Sequence, residues 1–357
     1  MNDKIIINNF GPLKQVELDL KEIMVFIGTK ASGKSTIAKL IHFFKYVTSA
    51  SCLKTQPKDL LSIFNQFFGE HYLHQSPNAD IEYLSNGQIT LKNGTIRYDN
   101  LPQSTYKTTL IPAGRAVYSL ISESLFSLTS EAISIDPMIL NFGRHIELSR
   151  KKLGNILSQE KELEALLKDI LKGHFQYING ENRIYFEENQ YITLDRASSG
   201  QQEVLPLILI LMDVFYSQQL NFVTIEEPEA HLYPYSQYKL IELICRVHHC
   251  HLDKHRFIIT THSPYILTAF NNFLFSYRVA NINESAKVRV TSVIPKAGWI
   301  NPKQLGAYYV NEGTAESIMD ESTGLIADNE IDDASEEIAG HFDALLDIYR
   351  AFKHGNG

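Results

Sequence analysis

The apolar run 23–27 (Ile-Met-Val-Phe-Ile) leads straight into Gly28-Thr29-Lys30-Ala31-Ser32-Gly33-Lys34-Ser35-Thr36, and then into an apolar-periodic stretch ending near Phe44. This G-x-x-x-x-G-K-[ST] pattern, set between a strand and a helix, constrains the fold more than any other feature of the chain. A strand, a tight turn and a helix in that order belong to a parallel sheet covered by helices. Gly28 and Gly33 let the backbone wrap an anion so that successive N–H groups point inward, and the helix N-terminus adds positive potential. Lys34 is then placed to neutralise the β and γ oxygens of a nucleoside triphosphate, and the Ser35 hydroxyl to ligate Mg2+. Lys30, Ala31, Ser32 and Thr36 complete the binding loop.

Far downstream, residues 221–229 read Asn-Phe-Val-Thr-Ile-Glu-Glu-Pro-Glu. Residues 222–225 predict a buried strand, with two carboxylates at its C-terminal end, where parallel sheets collect ligands. Glu226 is assigned to Mg2+, and Glu227 to orienting and polarising the attacking water. A further strand over 257–261 exits into His262, which can donate a hydrogen bond to a γ-phosphate or serve the structure alone. Between these segments, Arg196-Ala197-Ser198-Ser199-Gly200-Gln201-Gln202-Glu203 precedes an apolar helix at 204–215. Such a turn is a second anion site or an ordinary N-cap.

The chain has 357 residues, 44% of them hydrophobic, enough for a large core and about two domains by length. No apolar stretch is long enough to span a bilayer and the N-terminus lacks a signal-peptide pattern, so a cytoplasmic protein without membrane contact is expected. Cys52, Cys245 and Cys250 form no C-x-x-C pair, consistent with a reducing compartment. The net charge of -8 is uneven: residues 311–357 carry 12 of the 41 acidic and 2 of the 33 basic residues. The first 310 residues are therefore close to neutral, which leaves room for a nucleic-acid groove, although no basic track with interleaved aromatics stands out.

Along the chain, residues 4–8 and 15–20 predict paired strands around Phe10-Gly11-Pro12. A helical patch follows at Leu60, Leu61, Phe64, Phe67 and Phe68. Asn86-Gly87, Asn93-Gly94 and Asn179-Gly180 each predict a two-residue hairpin turn with positive φ. Residues 109–111 read as a strand, and 117–172 as helices, most clearly over 145–171. Residues 335–352 predict a helix opened in capping-box spacing. It could pack back on the core or dock a partner through its acidic face. His248, His249, Cys250, His251 and His255 read as a polar helix end in preference to a zinc site, because adjacent helix residues diverge.

The phosphate loop, the Ser-Ser-Gly-Gln-Gln turn, the strand ending Glu-Glu-Pro-Glu-Ala-His-Leu-Tyr-Pro and the Thr-His-Ser strand exit resemble, in this order, ABC-type ATPases of the SMC, RecN and OLD branch. The opening Ile-Asn-Asn-Phe-Gly-Pro-Leu-Lys is similar to that branch's first strand pair. The small AAA ATPases of bacterial anti-phage and plasmid-defence operons look most alike. The resemblance implies an α/β fold: a P-loop ATPase head with a mixed central sheet, an antiparallel β subdomain and an inserted helical lobe. It divides the chain into 1–110 (first half of the core with the β subdomain), 111–175 (helical lobe), 176–310 (signature turn and second half) and 311–357 (acidic helical extension).

By the same resemblance, Ser198, Ser199, Gly200 and Gln201 align with the Leu-Ser-Gly-Gly-Gln signature, which binds the γ-phosphate of ATP held by another subunit. Glu226 takes the Walker B aspartate position, Glu227 that of the catalytic glutamate, and His262 that of the switch histidine; residues 228–232 form the D-loop. Three departures stand out: Lys30 and Ala31 replace the frequent Asn-Gly, Ser199 replaces the first signature glycine, and glutamate replaces the Walker B aspartate. No glutamine is placed as the Q-loop residue. Arg115, in Ile-Pro-Ala-Gly-Arg, is expected either near the phosphates or in a surface ion pair.

The resemblance implies an ATP- and Mg2+-dependent homodimer, head to tail, that regulates an operon-encoded effector such as a nuclease or toxin. A self-contained OLD-like nuclease and a DNA-repair SMC-like ATPase are the alternatives. The first lacks room for a nuclease domain after His262, and the second lacks room for long coiled-coil arms.

Overall fold

The computed structural model describes residues 3–49, 60–100, 104–118, 137–153, 161–251 and 254–327, together with Leu345. The chain opens with an antiparallel pair, β1 (Lys4–Phe10) and β2 (Leu13–Asp19), turning at Gly11 and Pro12 as the sequence predicts. Next come β3 (Ile23–Ile27), the phosphate loop and helix α1 (Lys34–Val47). Helix α2 (Leu60–Phe68), a short helix α3 (Tyr72–Gln75) and the strands β4 (Asp80–Leu84), β5 (Gln88–Lys92) and β6 (Thr95–Asp99) follow. The meander joins the first pair in an antiparallel sheet of order β2-β1-β4-β5-β6.

Strand β7 (Lys107–Ile111) leads to a helical lobe, α4 (Pro137–Leu153) and α5 (Lys161–Leu171). A small antiparallel sheet of β8 (His174–Ile178), β9 (Glu181–Glu187) and β10 (Gln190–Thr193) precedes α6 (Ser199–Phe215). The second half of the core alternates strand and helix: β11 (Asn221–Glu226), α7 (Pro234–His249), β12 (Arg256–Thr261), α8 (Pro264–Ala280) and α9 (Glu284–Thr291). Strands β13 (Leu305–Asn311), β14 (Thr314–Ser317), β15 (Met319–Asp320) and β16 (Leu325–Ile326) close the described chain.

The central sheet has the order β14-β13-β3-β12-β11-β7, with every pairing parallel except the β13–β14 edge. Its middle strands are buried on both faces, so they read as continuous apolar runs instead of alternating ones. Ile23, Val25 and Ile27 face a core shared with α5, α6, α7 and α8, whereas Met24 and Phe26 face a second core built from α1 and the antiparallel sheet. This is the α/β class the sequence predicts: a P-loop head with a mixed central sheet, an antiparallel β subdomain and an inserted helical lobe.

Three local expectations change. The Asn93-Gly94 and Asn179-Gly180 turns do place both residues at positive φ (50° and 69°, 52° and 89°). Gly87 does not use positive φ. Residues 85–87 form a three-residue connection, and a Cβ at Gly87 would lie 1.8 Å from the Asn100 carbonyl, so close backbone approach is what requires glycine there. Residues 311–327 form the β13–β14 hairpin and the β15–β16 pair in place of a helical extension. The predicted helix at 335–352 lies outside the described residues, apart from Leu345, as does Cys52.

The histidine-rich end of α7 is packed inward rather than being a polar helix end: His248 and His255 are fully buried. His248 Nδ1 lies 2.6 Å from the His255 carbonyl, and the Asn221 N–H donates to His255 Nδ1 at 3.0 Å. Among the described residues, no group of three or more His, Cys, Asp or Glu could hold a metal. None of the described helices is long and apolar enough to cross a membrane.

Candidate nucleotide site

The phosphate loop needs its glycines for two separate reasons. Gly28 has φ 150° and Gly33 φ 108°, values that L side chains rarely adopt. A Cβ at Gly28 would also sit 2.0 Å from the Val310 carbonyl of β13, so the neighbouring strand presses against the loop. Ala31 takes φ 59°, a left-handed conformation at the loop crest, where Asn-Gly is the usual sequence of the resembled branch. Thr29, Lys30, Ala31 and Ser35 are exposed, Ser32 is buried and Thr36 is half-buried.

Lys34 folds back into its own loop. Its Nζ donates to the Gly28 carbonyl at 2.9 Å and the Thr29 carbonyl at 2.6 Å, with Ser32 Oγ at 3.5 Å. Burial draws its pKa down to about 8, against the attraction of Glu227 and Glu229. A triphosphate would exchange two neutral carbonyls for anionic oxygens, a stronger partner for the ammonium.

Glu226 closes β11 and is buried, and its Oε1 has no hydrogen-bond partner. A buried, unpartnered carboxylate oxygen at the same end of the sheet as the phosphate loop suits a hard cation, with Ser35 as the second protein oxygen. These residues fit Mg2+, which supplies charge neutralisation to the phosphates when bound. Glu227 leaves the strand with φ 45°, and its N–H donates to the Thr260 carbonyl at 2.9 Å. Its Oε1 lies 3.4 Å from His262 Nε2, and the glutamate side chain is 41% exposed, open to a water.

Glu229 completes this end of the sheet. One of its oxygens accepts the His262 N–H at 2.7 Å, fixing the backbone at the β12 exit, while the other is buried without a partner. Burial raises its pKa, which the hydrogen bond from His262 opposes and the nearby Glu227 charge reinforces. Gln237 ties the same region to α7: Ser263 Oγ donates to its Oε1 at 2.6 Å, and its Nε2 donates to the Leu232 carbonyl at 2.9 Å.

Arg115 is neither in a surface ion pair nor free to meet a phosphate. Its side chain is completely buried, with Nε donating to the Glu203 carbonyl at 2.9 Å. Nη1 reaches the Pro112 and Glu226 carbonyls at 3.0 and 2.8 Å, and Nη2 the Glu227 carbonyl at 3.1 Å. The Glu203 carboxylate accepts the N–H groups of Arg115 and Ala116 at 2.9 and 3.0 Å. Burial lowers the arginine pKa against the pull of four glutamates, and the guanidinium stays protonated.

Ser198, Ser199 and Gly200 open α6. The Ser198 side chain accepts the Gln201 N–H while Gln201 Oε1 accepts the Ser198 N–H, a capping box. Ser198 and Ser199 are exposed and Gly200 is half-buried. The side-chain amides of this turn bond to residues outside the phosphate loop: Gln201 Nε2 donates to the Leu171 carbonyl at 3.1 Å, and Gln202 Nε2 to the Asp195 carbonyl at 2.9 Å. A Cβ at Gly200 would lie 2.7 Å from the His231 carbonyl, so the start of α6 and the segment 228–232 are in backbone contact.

The structure thus gathers Lys34, Glu226, Glu227 and His262 around the C-terminal ends of β3, β11 and β12, and leaves Ser198–Gln201 on a separate helix start. Sequence reasoning missed Glu203, Glu229 and Gln237. For Glu203 a signal existed, a lone carboxylate leading an apolar helix, which burial permits only with a partner.

A model of the AAA ATPase domain family matches the chain over residues 1–64 and 53–267. Among solved structures, the SMC head domain from Thermotoga maritima is similar at 13% identity, covering 89% of this chain and 98% of that one with a TM-score of 0.44. An Smc head bound to the C-winged helix domain of ScpA matches at 13% identity over 88% and 96% of the two chains, TM-score 0.47. The recombination mediator protein RecF follows at 12% identity over 89% and 98%, TM-score 0.38. No curated protein matches the chain.

Proposed function

The chain belongs to the AAA ATPase domain family, and from that premise we propose that it is a Mg2+-dependent ATPase whose nucleotide is shared between two copies of the chain. Lys34 and the amides of residues 28–36 hold the phosphates, and Ser35 and Glu226 hold Mg2+. Glu227 orients a water for attack on the γ-phosphorus; the bond to the β–γ bridging oxygen breaks, and ADP and phosphate leave. His262, beside Glu227, donates to the γ-phosphate and distinguishes the triphosphate from the diphosphate state.

One observation carries the shared-site reading. The helix start at Ser198 to Gln201 has exposed hydroxyls, yet the side-chain amides of Gln201 and Gln202 bond to Leu171 and Asp195, outside the chain's own phosphate loop. Supplied by a second copy, head to tail, this turn would cap the γ-phosphate, and ATP would act as interface glue that hydrolysis removes. The resemblance to defence-operon ATPases supports a switch acting on a separate effector, a nuclease or toxin. In this reading residues 1–110 and 176–310 form the head, 111–175 the lobe, and residues beyond 327 the region available to a partner.

The Glu227→Gln variant tests it. It is expected to bind ATP, hydrolyse it at least about a hundredfold more slowly and accumulate as a dimer in light-scattering chromatography with ATP and Mg2+. A variant that remains monomeric with ATP bound would rule out the sandwich.

A further inference from the structure

Arg115 is the largest fully buried side chain among the described residues, and the proposed reaction makes no use of it. It stands past the end of β7 and spends its donors on main chain that belongs to other elements. Two of those acceptors are the carbonyls of Glu226 and Glu227, at 2.8 and 3.1 Å. The Arg115 backbone and guanidinium are held in turn by Glu203, on the helix that the signature turn opens.

Glu227 is the place where this arrangement matters. It is a non-glycine residue at φ 45°, a conformation that persists only when its surroundings over-determine it. Its N–H donates to Thr260, and its carbonyl accepts from Arg115 Nη2 and from the Ala230 N–H at 3.1 Å. With the peptide pinned on both sides, the side chain is aimed beside His262. The planar fork reaches four carbonyls, those of Glu203, Pro112, Glu226 and Glu227, from three separate nitrogens; a lysine ammonium has three N–H on one nitrogen and cannot serve all four.

We infer that Arg115, held by Glu203, is the positioning residue that aims the Glu227 carboxylate, and that it links this carboxylate to α6 in the same chain. The inference rests on the proposed role of Glu227. A shift of α6 when its N-terminal turn meets a partner's nucleotide would move Glu203, then Arg115, then the Glu227 peptide, through one unbroken set of hydrogen bonds. Occupancy of the signature turn and readiness to hydrolyse are thereby connected.

The test compares Arg115→Lys, Glu227→Gln and the double variant in full-length protein, reading steady-state turnover and the Kd of a fluorescent ATP analogue. Arg115→Lys is expected to lower kcat by at least about tenfold while Kd stays within about threefold, because positioning governs the reacting geometry and leaves ground-state binding alone. In the Glu227→Gln background the same substitution should change the residual rate by less than about twofold, since residues acting as one unit do not multiply their effects. Wild-type turnover in Arg115→Lys, or a full repeat of its loss in the Glu227→Gln background, overturns the inference.

If Arg115→Lys does not fold, Glu203→Gln, which keeps one acceptor for the Arg115 region, is judged by the same two rates. Wild-type turnover in Glu227→Gln itself would remove the role of Glu227 and this inference with it. An impaired Glu227→Gln beside an unimpaired Arg115→Lys removes only the inference.

Discussion

The charge state of Lys34 gives a prediction with a worked magnitude. In the free protein burial sets its pKa at about 8. A bound triphosphate surrounds the ammonium with anionic oxygens and returns its pKa above the neutral range. If only the protonated lysine binds productively, the apparent Kd for ATP scales as one plus ten to the power of pH minus 8: about 1.1 at pH 7, about 2 at pH 8 and about 11 at pH 9. That tenfold weakening corresponds to about 1.4 kcal/mol. The γ-phosphate adds little of its own over this window, since its second ionisation, with a pKa of about 6, is already about nine-tenths complete at pH 7.

Titration with a fluorescent ATP analogue at constant ionic strength and saturating Mg2+ measures the effect. Lys34→Met should bind weakly and without this slope. Folding has the opposite sign. The folded-state pKa lies below the unfolded value of about 10.5, so from pH 8 upward the unfolded chain binds more protons, and the Lys34 contribution to stability rises with pH. Relative to Lys34→Met, the ligand-free protein should therefore gain thermal stability over pH 8 to 10 while its ATP affinity falls. A Kd that stays flat from pH 7 to 9 in the native chain would refute the reasoning, because it would mean that the lysine is charged throughout.

Two further substitutions probe the site and the core. Gly200→Ala places a Cβ 2.7 Å from the His231 carbonyl and must separate the proposed signature turn, at the start of α6, from residues 228–232; it should leave ATP binding intact and abolish the ATP-dependent dimer in light scattering, and a normal dimer would contradict the assignment. Phe64 is fully buried and meets Phe10, Phe43 and Phe68 ring to ring; Phe64→Ala should cost about 3–5 kcal/mol in urea unfolding, and a loss below about 1 kcal/mol would mean the aromatic cluster collapses around the gap.

Much of the fold was legible in the sequence because its signals are local. The phosphate loop carries its strand, turn and helix in one segment, and the mostly apolar run Phe-Val-Thr-Ile before Glu226 marks a strand buried on both faces. Asn93-Gly94 and Asn179-Gly180 betray hairpins because their requirement for positive φ is met within the turn. What escaped depends on distant partners. Gly87 answers to the carbonyl of Asn100, and Gly28 answers to that of Val310 as much as to a phosphate. Strand β14, Thr-Ala-Glu-Ser, is a polar sheet edge with no apolar alternation to announce it. Arg115 and Glu203 are 88 positions apart, so nothing periodic could pair them.

The two adjacent glutamates show how one backbone angle can divide labour. In an unbroken strand, Glu226 and Glu227 would point to opposite faces of the sheet, and only one could serve the phosphate side. Glu226 ends the strand in regular geometry and stays dry, with an unpartnered oxygen suited to a cation. Glu227 turns at φ 45°, leaves the alternation and emerges half-exposed beside His262, where a water can reach it. Glycine would take that angle without strain but would remove the carboxylate. A carboxylate is therefore kept in a left-handed conformation that the Thr260 carbonyl and the Arg115 guanidinium hold from both sides. The strain is tolerated because these main-chain bonds are made inside the protein, away from competing water, where leaving the Arg115 donors unpaired would cost more than the turn itself.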